Sequence, residues 1–276
     1  MTDKVDKAAA AMNTSDWVPP LARAGFAARG IIYLLIGGLA LLSALGRGGS
    51  TEGSQSALET LMHSRGGWIL LLLIGLGLAG FAIWRVVQAA VDVDCHGKDA
   101  KGLFVRGGFL VSAATHVGLA IWAVARAIGY ANSGGGNAST QQEWTAWLLG
   151  QPFGRTLIAS VGGVILGVGV AHILKGWKTK FLKHLAITDK LAPKLIPVCR
   201  FGCVARGVAF VIIGGFFIYA GWTYDAEQAG GLKQAFDTVR GVAFGRILFG
   251  TLALGFVAFA IYNFVEARYR KINLPT

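Results

Sequence analysis

The sequence predicts an all-α integral membrane protein. Six transmembrane helices would form three parallel two-helix repeats about a pseudo-threefold axis, with short interfacial helices in the outer loops. Three observations carry this. First, residues 25–45, 68–89, 104–125, 156–174, 205–222 and 247–265 are each long and apolar enough to cross a bilayer. A span needs roughly 20 mostly apolar residues, because the hydrocarbon core is about 30 Å thick and a helix rises about 1.5 Å per residue. Second, the chain is 54% hydrophobic and 14% charged, where a soluble domain is about 25% charged. Third, the stretch ARAGFAARG at 22–30 returns as CRFGCVARG at 199–207. The alternating strands of about 10 residues that mark a membrane barrel do not occur.

The elements follow in order. Residues 1–20 form a polar tail holding Asp3, Asp6 and Asp16. The tail lacks the basic start and short apolar core of a cleaved leader, so the first span reads as an uncleaved anchor. Unit one, 21–102, holds two spans joined by the flexible GRGGSTEGSQS (46–56) and the amphipathic ALETLM (57–62). Unit two, 103–192, repeats this with NSGGGNAST (132–140) and EWTAWLL (143–149), whose Trp144 and Trp147 suit a membrane interface. Unit three, 193–276, carries LKQAFDTV (232–239). Each amphipathic piece is expected to lay its apolar face on the bilayer.

Charge gives the orientation. The net charge is +12. Of the 26 Lys and Arg, 19 fall on the side of the termini and 7 on the other. The positive-inside rule then puts both termini in the cytoplasm of a bacterial inner membrane. Nucleic acid is excluded as a partner, because the charges are divided among short loops flanking spans. The loop 175–197 interleaves lysines with Trp177, Phe181, Leu182 and Leu185. It is expected to form an amphipathic helix on anionic phospholipid, with Lys178, Lys180 and Lys183 on headgroups beside Arg23 and Arg200.

The repeat runs through the whole chain. A shift of 177 carries Arg23, Gly25, Arg29 and Gly30 onto Arg200, Gly202, Arg206 and Gly207. A shift of 83 carries Arg23, Gly25 and Phe26 onto Arg106, Gly108 and Phe109. FAIWRVVQA from Phe81 matches FAIYNFVEA from Phe259. An even number of helices per unit gives all units one orientation, as in parallel repeats. This pattern, with paired Gly in the first span and G-[RW] opening each second span, resembles a bacterial membrane family: domain of unknown function number 1206, with three tandem two-helix repeats. The resemblance implies architecture and no activity. The middle unit departs from it, with Ser112 where Arg29 and Arg206 stand.

Small residues let helices approach closely in lipid. The second spans offer Gly75, Gly162 and Ala253, then Gly80, Gly167 and Ala258, and Gly163 with Gly167 forms a GxxxG pattern. All are expected at helix contacts.

Polar residues inside spans are functional candidates by default. Arg29 and Arg206 lie about 9 Å deeper than Arg23 and Arg200. They either reach back to phosphates or pair inside the bundle. Gln88, Lys175 and Glu266 are equivalent positions, so Arg29 with Gln88, Ser112 with Lys175 and Arg206 with Glu266 are the expected partners. Arg85, His172 and Asn263 are equivalent one turn deeper and could line a shared cavity. His116 lies near the midplane, where Tyr33 and Phe210 hold the equivalent slots; it is a packing residue, a proton-accessible group, or a haem ligand with His172. Cys95, Cys199 and Cys203 lack the close pairing of a zinc site.

No Asp or Glu occupies the middle of a span, and no P-loop, HExxH or dinucleotide fingerprint occurs. The chain is therefore expected not to be an enzyme and to need no cofactor. Two functions follow. One is a non-catalytic module that binds anionic lipid or a membrane-protein partner, as an accessory subunit of a larger complex. The other is an anion-preferring channel or carrier along the threefold axis. A haem-binding role is the third.

Overall fold

The computed structural model describes residues 17–51, 53–94, 96–97, 99–130, 137–188 and 190–272. Most of the polar tail, Cys95, Lys98 and residues 132–136 of the 132–140 linker lie outside them. Nine α-helices occur among the described residues, with one isolated bridge between Leu185 and Arg270. Six are long and apolar enough to cross a membrane: α1 (Val18–Ala44), α3 (Gly67–Val91), α4 (Ala100–Ala127), α6 (Gly154–Trp177), α7 (Ala192–Thr223) and α9 (Gly245–Tyr269). Each covers its predicted stretch to within one residue. Several run further, because helix and apolarity need not end together. In α1 and α7, Pro19 and Pro193 sit in the first turn, where the fixed proline φ suits a helix start.

The G-[RW] pattern has a backbone cause. Each second span is preceded by a residue in the left-handed region: Gly66 at φ 76°, Phe153 at 62° and Phe244 at 59°. The chain turns so tightly there that a Cβ on Gly67, Gly154 or Gly245 would collide with the carbonyl of Leu61, Leu149 or Arg240. Only glycine fits.

The outer loops carry α2 (Ser54–Met62), α5 (Asn137–Leu149) and α8 (Leu232–Gly241). They are helices, as the pattern predicts, but α2 and α8 turn their apolar faces onto the bundle and not onto the bilayer. Leu58 and Phe236 are fully buried. Phe236 meets Phe249 and Phe256 edge-on, both at 5.4 Å between centroids. Arg126 of α4 clamps Glu59 of α2 with two nitrogens. A bundle contact wins because it buries aromatic area and satisfies a charge together. In α5, Trp144 and Trp147 do face outward.

The spans pack as an arc in the order α4, α3, α1, α9, α7, α6. Corresponding residues make all three contacts between units. Gly37 of α1 meets Ala253 and Val257 of α9; Ala120 of α4 meets Gly75 of α3; Gly214 of α7 meets Gly162 and Leu166 of α6. Contacts within a unit are also equivalent in the first and third: Gly25 against Phe81 with Ala28 against Gly77, and Gly202 against Phe259 with Ala205 against Gly255.

The second unit is different. Its helices α4 and α6 do not pack as neighbours, and threefold regularity is broken there. The sequence supplies the reason. Val111 stands where the other units have Ala28 and Ala205, and Val164 where they have Gly77 and Gly255. Two branched side chains replace the small pair at the crossing point. Val111 is 64% exposed and Val164 48%. Gly108, Gly163 and Gly167 have nothing within reach of a Cβ. The expected packing roles of Gly163 and Gly167 are therefore wrong; Gly162 and Gly169 make the contacts of α6.

Candidate functional site

Polar side chains gather toward the end of the bundle that carries the chain termini, in two layers. The outer layer is an ion-pair network. Glu266 of α9 accepts from Arg270 at 2.7 Å. Arg270 also donates to Asp94 at 3.1 and 3.2 Å. Gln88 of α3 donates to Asp94 at 2.6 Å and accepts from Arg85 at 3.0 Å. His184 lies 3.3 Å from Asp94. Burial alone would lower Arg270, but the carboxylates of Glu266 and Asp94 outweigh it and hold the guanidinium above its ordinary value. Burial lowers His184, against the pull of Asp94.

This layer corrects three expectations. Glu266 pairs with Arg270, one helical turn along the same chain, and not with Arg206. Gln88 bonds Arg85 and Asp94, not Arg29. Lys175 lies over the Tyr262 ring at 5.0 Å and not on Ser112; the Ser112 carbonyl instead accepts from His116 at 2.7 Å. The basic loop after α6 also differs from expectation. Lys180–His184 is a single 3-10 stretch, not an amphipathic helix on the leaflet. Phe181 and Leu185 are buried, with Phe181 5.5 Å from the Tyr262 ring. The loop is tied to the C-terminal segment by Ala186 N–H to the Tyr269 carbonyl and Lys271 N–H to the His184 carbonyl. Its apolar residues thus serve the protein core. Lys178, Lys180 and Lys183 remain exposed, as do Arg23 and Arg200.

The inner layer holds three guanidinium groups among aromatic rings. Arg29 is 4% exposed, and its Cζ lies 5.0 Å from the Phe81 ring and 5.5 Å from both Tyr33 and Phe259. Arg206 is 9% exposed, with its Cζ 4.6 Å from Phe210 and 4.8 Å from Phe259. Arg85 sits between Phe81 at 4.8 Å and Phe109 at 5.1 Å. Tyr33 stands beside both Arg29 and Arg206. The repeat builds this set: Phe81 and Phe259 are equivalent residues, as are Arg29 and Arg206.

Among the described residues, none of the three arginines has a carboxylate within ion-pair distance. Arg85 has neutral Gln88, and Arg206 donates to His172 Nε2 at 2.8 Å. Among the described residues, the Nε atoms of all three are buried without a partner. A buried cation without an anion is costly. Each ring contact contributes only about 0.5–2 kcal/mol.

Of the three equivalent deeper residues, Arg85 and His172 reach this cluster. Asn263 donates back to the Phe259 carbonyl of its own helix at 2.6 Å, so the shared three-residue lining does not form. His172 donates from Nδ1 to the Val168 carbonyl and accepts at Nε2 from Arg206. Both ring nitrogens are engaged, which leaves none for a haem iron. His116 of α4 stacks 4.7 Å from Phe81. Cys199 and Cys203 are buried in an apolar cluster with Phe181 and Tyr262. Sequence reasoning missed Asp94, Arg270 and the aromatic frame. Arg270 had a signal, its four-residue spacing from Glu266; Asp94, in a loop, had none.

Comparison with known proteins accounts for the repeat. The profile of Domain of Unknown Function (DUF1206) matches three times, at residues 24–92, 107–179 and 201–270. The chain belongs to this family. Bacillus subtilis (strain 168) has a relative, the "Uncharacterized protein YxxB", 31% identical over 264 residues and covering 94% of each chain. No solved structure matches. Within this DUF1206 chain, the first and third matches contain the two buried arginines of the motif, and the second contains the Ser112, Val111 and Val164 departures.

Proposed function

We propose that this DUF1206 protein is a non-catalytic membrane module that binds an anionic group, of phosphate or carboxylate type, between Arg29, Arg85 and Arg206. It would lie in the bacterial inner membrane with both termini in the cytoplasm, an orientation that the positive-inside count supports. The observation that carries the reading is Arg29: buried, surrounded by three rings, and without an anion among the described residues. Guanidinium groups present planar donor forks that fit phosphate and carboxylate oxygens. Among the described residues, the nearby carboxylates of Glu266 and Asp94 are already held by Arg270.

Packing favours binding over passage. Beyond Tyr33, the half of the bundle away from the termini is filled by Ile36, Leu71, Ile74, Leu78 and Phe256, all buried in one apolar cluster. A channel or carrier needs polar groups along its route. The test is native mass spectrometry of the full chain released gently from detergent. The reading expects a retained anionic adduct, absent from the Arg29→Met, Arg206→Met double variant. A bare mass for the natural chain, or an adduct that survives in the variant, would overturn it.

A further inference from the structure

We infer that the opening between α4 and α6 is a lateral entrance from the bilayer to the arginine cluster, so that the anion bound there is the headgroup of a lipid whose chain lies between these two helices. This rests on the anion-site reading and adds the ligand class and its route.

Four observations converge. The opening is specified by sequence, since Val111 and Val164 occupy the crossing point that closes the other two units. At Gly108, Gly163 and Gly167 on its flanks, a Cβ would meet no described residue within 4 Å. A groove bounded by valine and glycine backbone in a bilayer is matched by an acyl chain. Both walls carry a residue that faces the charged cluster: His116 of α4 against Phe81, and His172 of α6 against Arg206. Arg29 and Arg206, both buried and without a carboxylate among the described residues, lie between them, each with its Nε left without a partner.

The other approaches are filled. The end bearing the termini is covered by the Arg85–Gln88–Asp94–Arg270–Glu266 network and by buried Phe181. The opposite half holds the apolar cluster. In the cluster His116, His172, Tyr33 and Phe210 are half-buried, whereas Phe81 and Phe259 are fully buried. The opening is where access remains.

The headgroup phosphate would then sit among guanidinium groups and the chain would cover the exposed faces of α4 and α6. An anionic lipid satisfies both halves of the site at once. A free anion satisfies only the first, and a zwitterionic lipid brings its own cation.

The experiment is a titration of the purified full chain in neutral detergent micelles with dioleoyl phosphatidic acid, dioleoyl phosphatidylcholine and sodium phosphate, followed by tryptophan fluorescence. Trp84 sits beside the network, with Arg270 Cζ 5.8 Å from its ring. Two variants block the opening without touching the arginines. Val111→Ala with Val164→Gly installs the small pair of the other units and lets α4 close on α6. Gly108→Leu with Gly167→Leu fills the groove from positions that have free space in front of them. The natural chain should bind phosphatidic acid at least tenfold more tightly than phosphatidylcholine. Either blocking pair should weaken phosphatidic acid at least tenfold. If phosphatidic acid binding needs Arg29 and Arg206 but survives both blocking pairs, the entrance is wrong and the anion site stands. If sodium phosphate binds the natural chain and both blocked forms alike and displaces the lipid, the ligand is a free anion and the lipid inference falls. If neither phosphatidic acid nor phosphate binds the natural chain, the anion-site reading itself falls.

Discussion

Glu266 offers a decisive test of how charge is arranged in this bundle. The carboxylate is 3% exposed and lies 2.7 Å from Arg270. At an effective dielectric constant of about 20, a pair at that distance attracts by roughly 6 kcal/mol, most of which offsets desolvation. Removing one partner of such a pair costs about 3–5 kcal/mol, because the other is left charged and buried. Here Asp94 stays on Arg270, so Glu266→Gln should cost at the low end, about 3 kcal/mol. Equilibrium unfolding in sodium dodecyl sulfate, followed by far-UV circular dichroism, reads this directly. A double-mutant cycle of Glu266→Gln with Arg270→Gln should give a coupling energy of about 2 kcal/mol, whereas the cycle with Arg206→Gln should give under about 0.5 kcal/mol. Equal couplings in the two cycles, or a larger one with Arg206, would refute the pairing described above.

Three further outcomes follow from the packing. Arg29→Met removes a buried cation with no carboxylate within ion-pair distance among the described residues, so the ligand-free protein should become more stable by about 1–4 kcal/mol in the same unfolding assay; a loss of stability would show that the partners of Arg29, Tyr33 among them, outweigh its desolvation. Gly162→Ala puts a methyl group 2.7 Å from the Ile218 nitrogen and should cost about 1–3 kcal/mol, whereas Gly163→Ala, with open space before it, should stay within about 0.5 kcal/mol. His184 titrates below its ordinary 6.5 in the folded chain, so the unfolded chain takes up its proton first. Its contribution to stability is present above pH 6.5 and is lost as pH falls below that value; His184→Gln should flatten the unfolding free energy as pH falls below 6.5.

The sequence by itself determined the six spans, the two-helix repeat and the glycine starts of the second spans. These are local properties: apolar length sets a span, and a left-handed turn with a carbonyl at its back admits only glycine. Equivalence by offset also identified two sets of interior polar positions, Arg29 with Arg206 and Arg85 with His172 and Asn263. Which of them meet was decided by the tertiary structure. Partners depend on how each helix is rotated and on where loops return. Glu266 has Arg270 one turn away on its own face, and Asp94 arrives from a loop far off in sequence, so Arg206 is left to His172 and to the rings. The same holds for the amphipathic loops. Their apolar faces were visible, but a nearby bundle surface and a bilayer are equally apolar, and only the fold chose the bundle for Leu58, Phe236 and Phe181. The opening between α4 and α6 stands between the two cases. Val111 and Val164 were written in the sequence, yet their meaning appeared only once Ala28, Gly77, Ala205 and Gly255 were seen to be the points where helices touch.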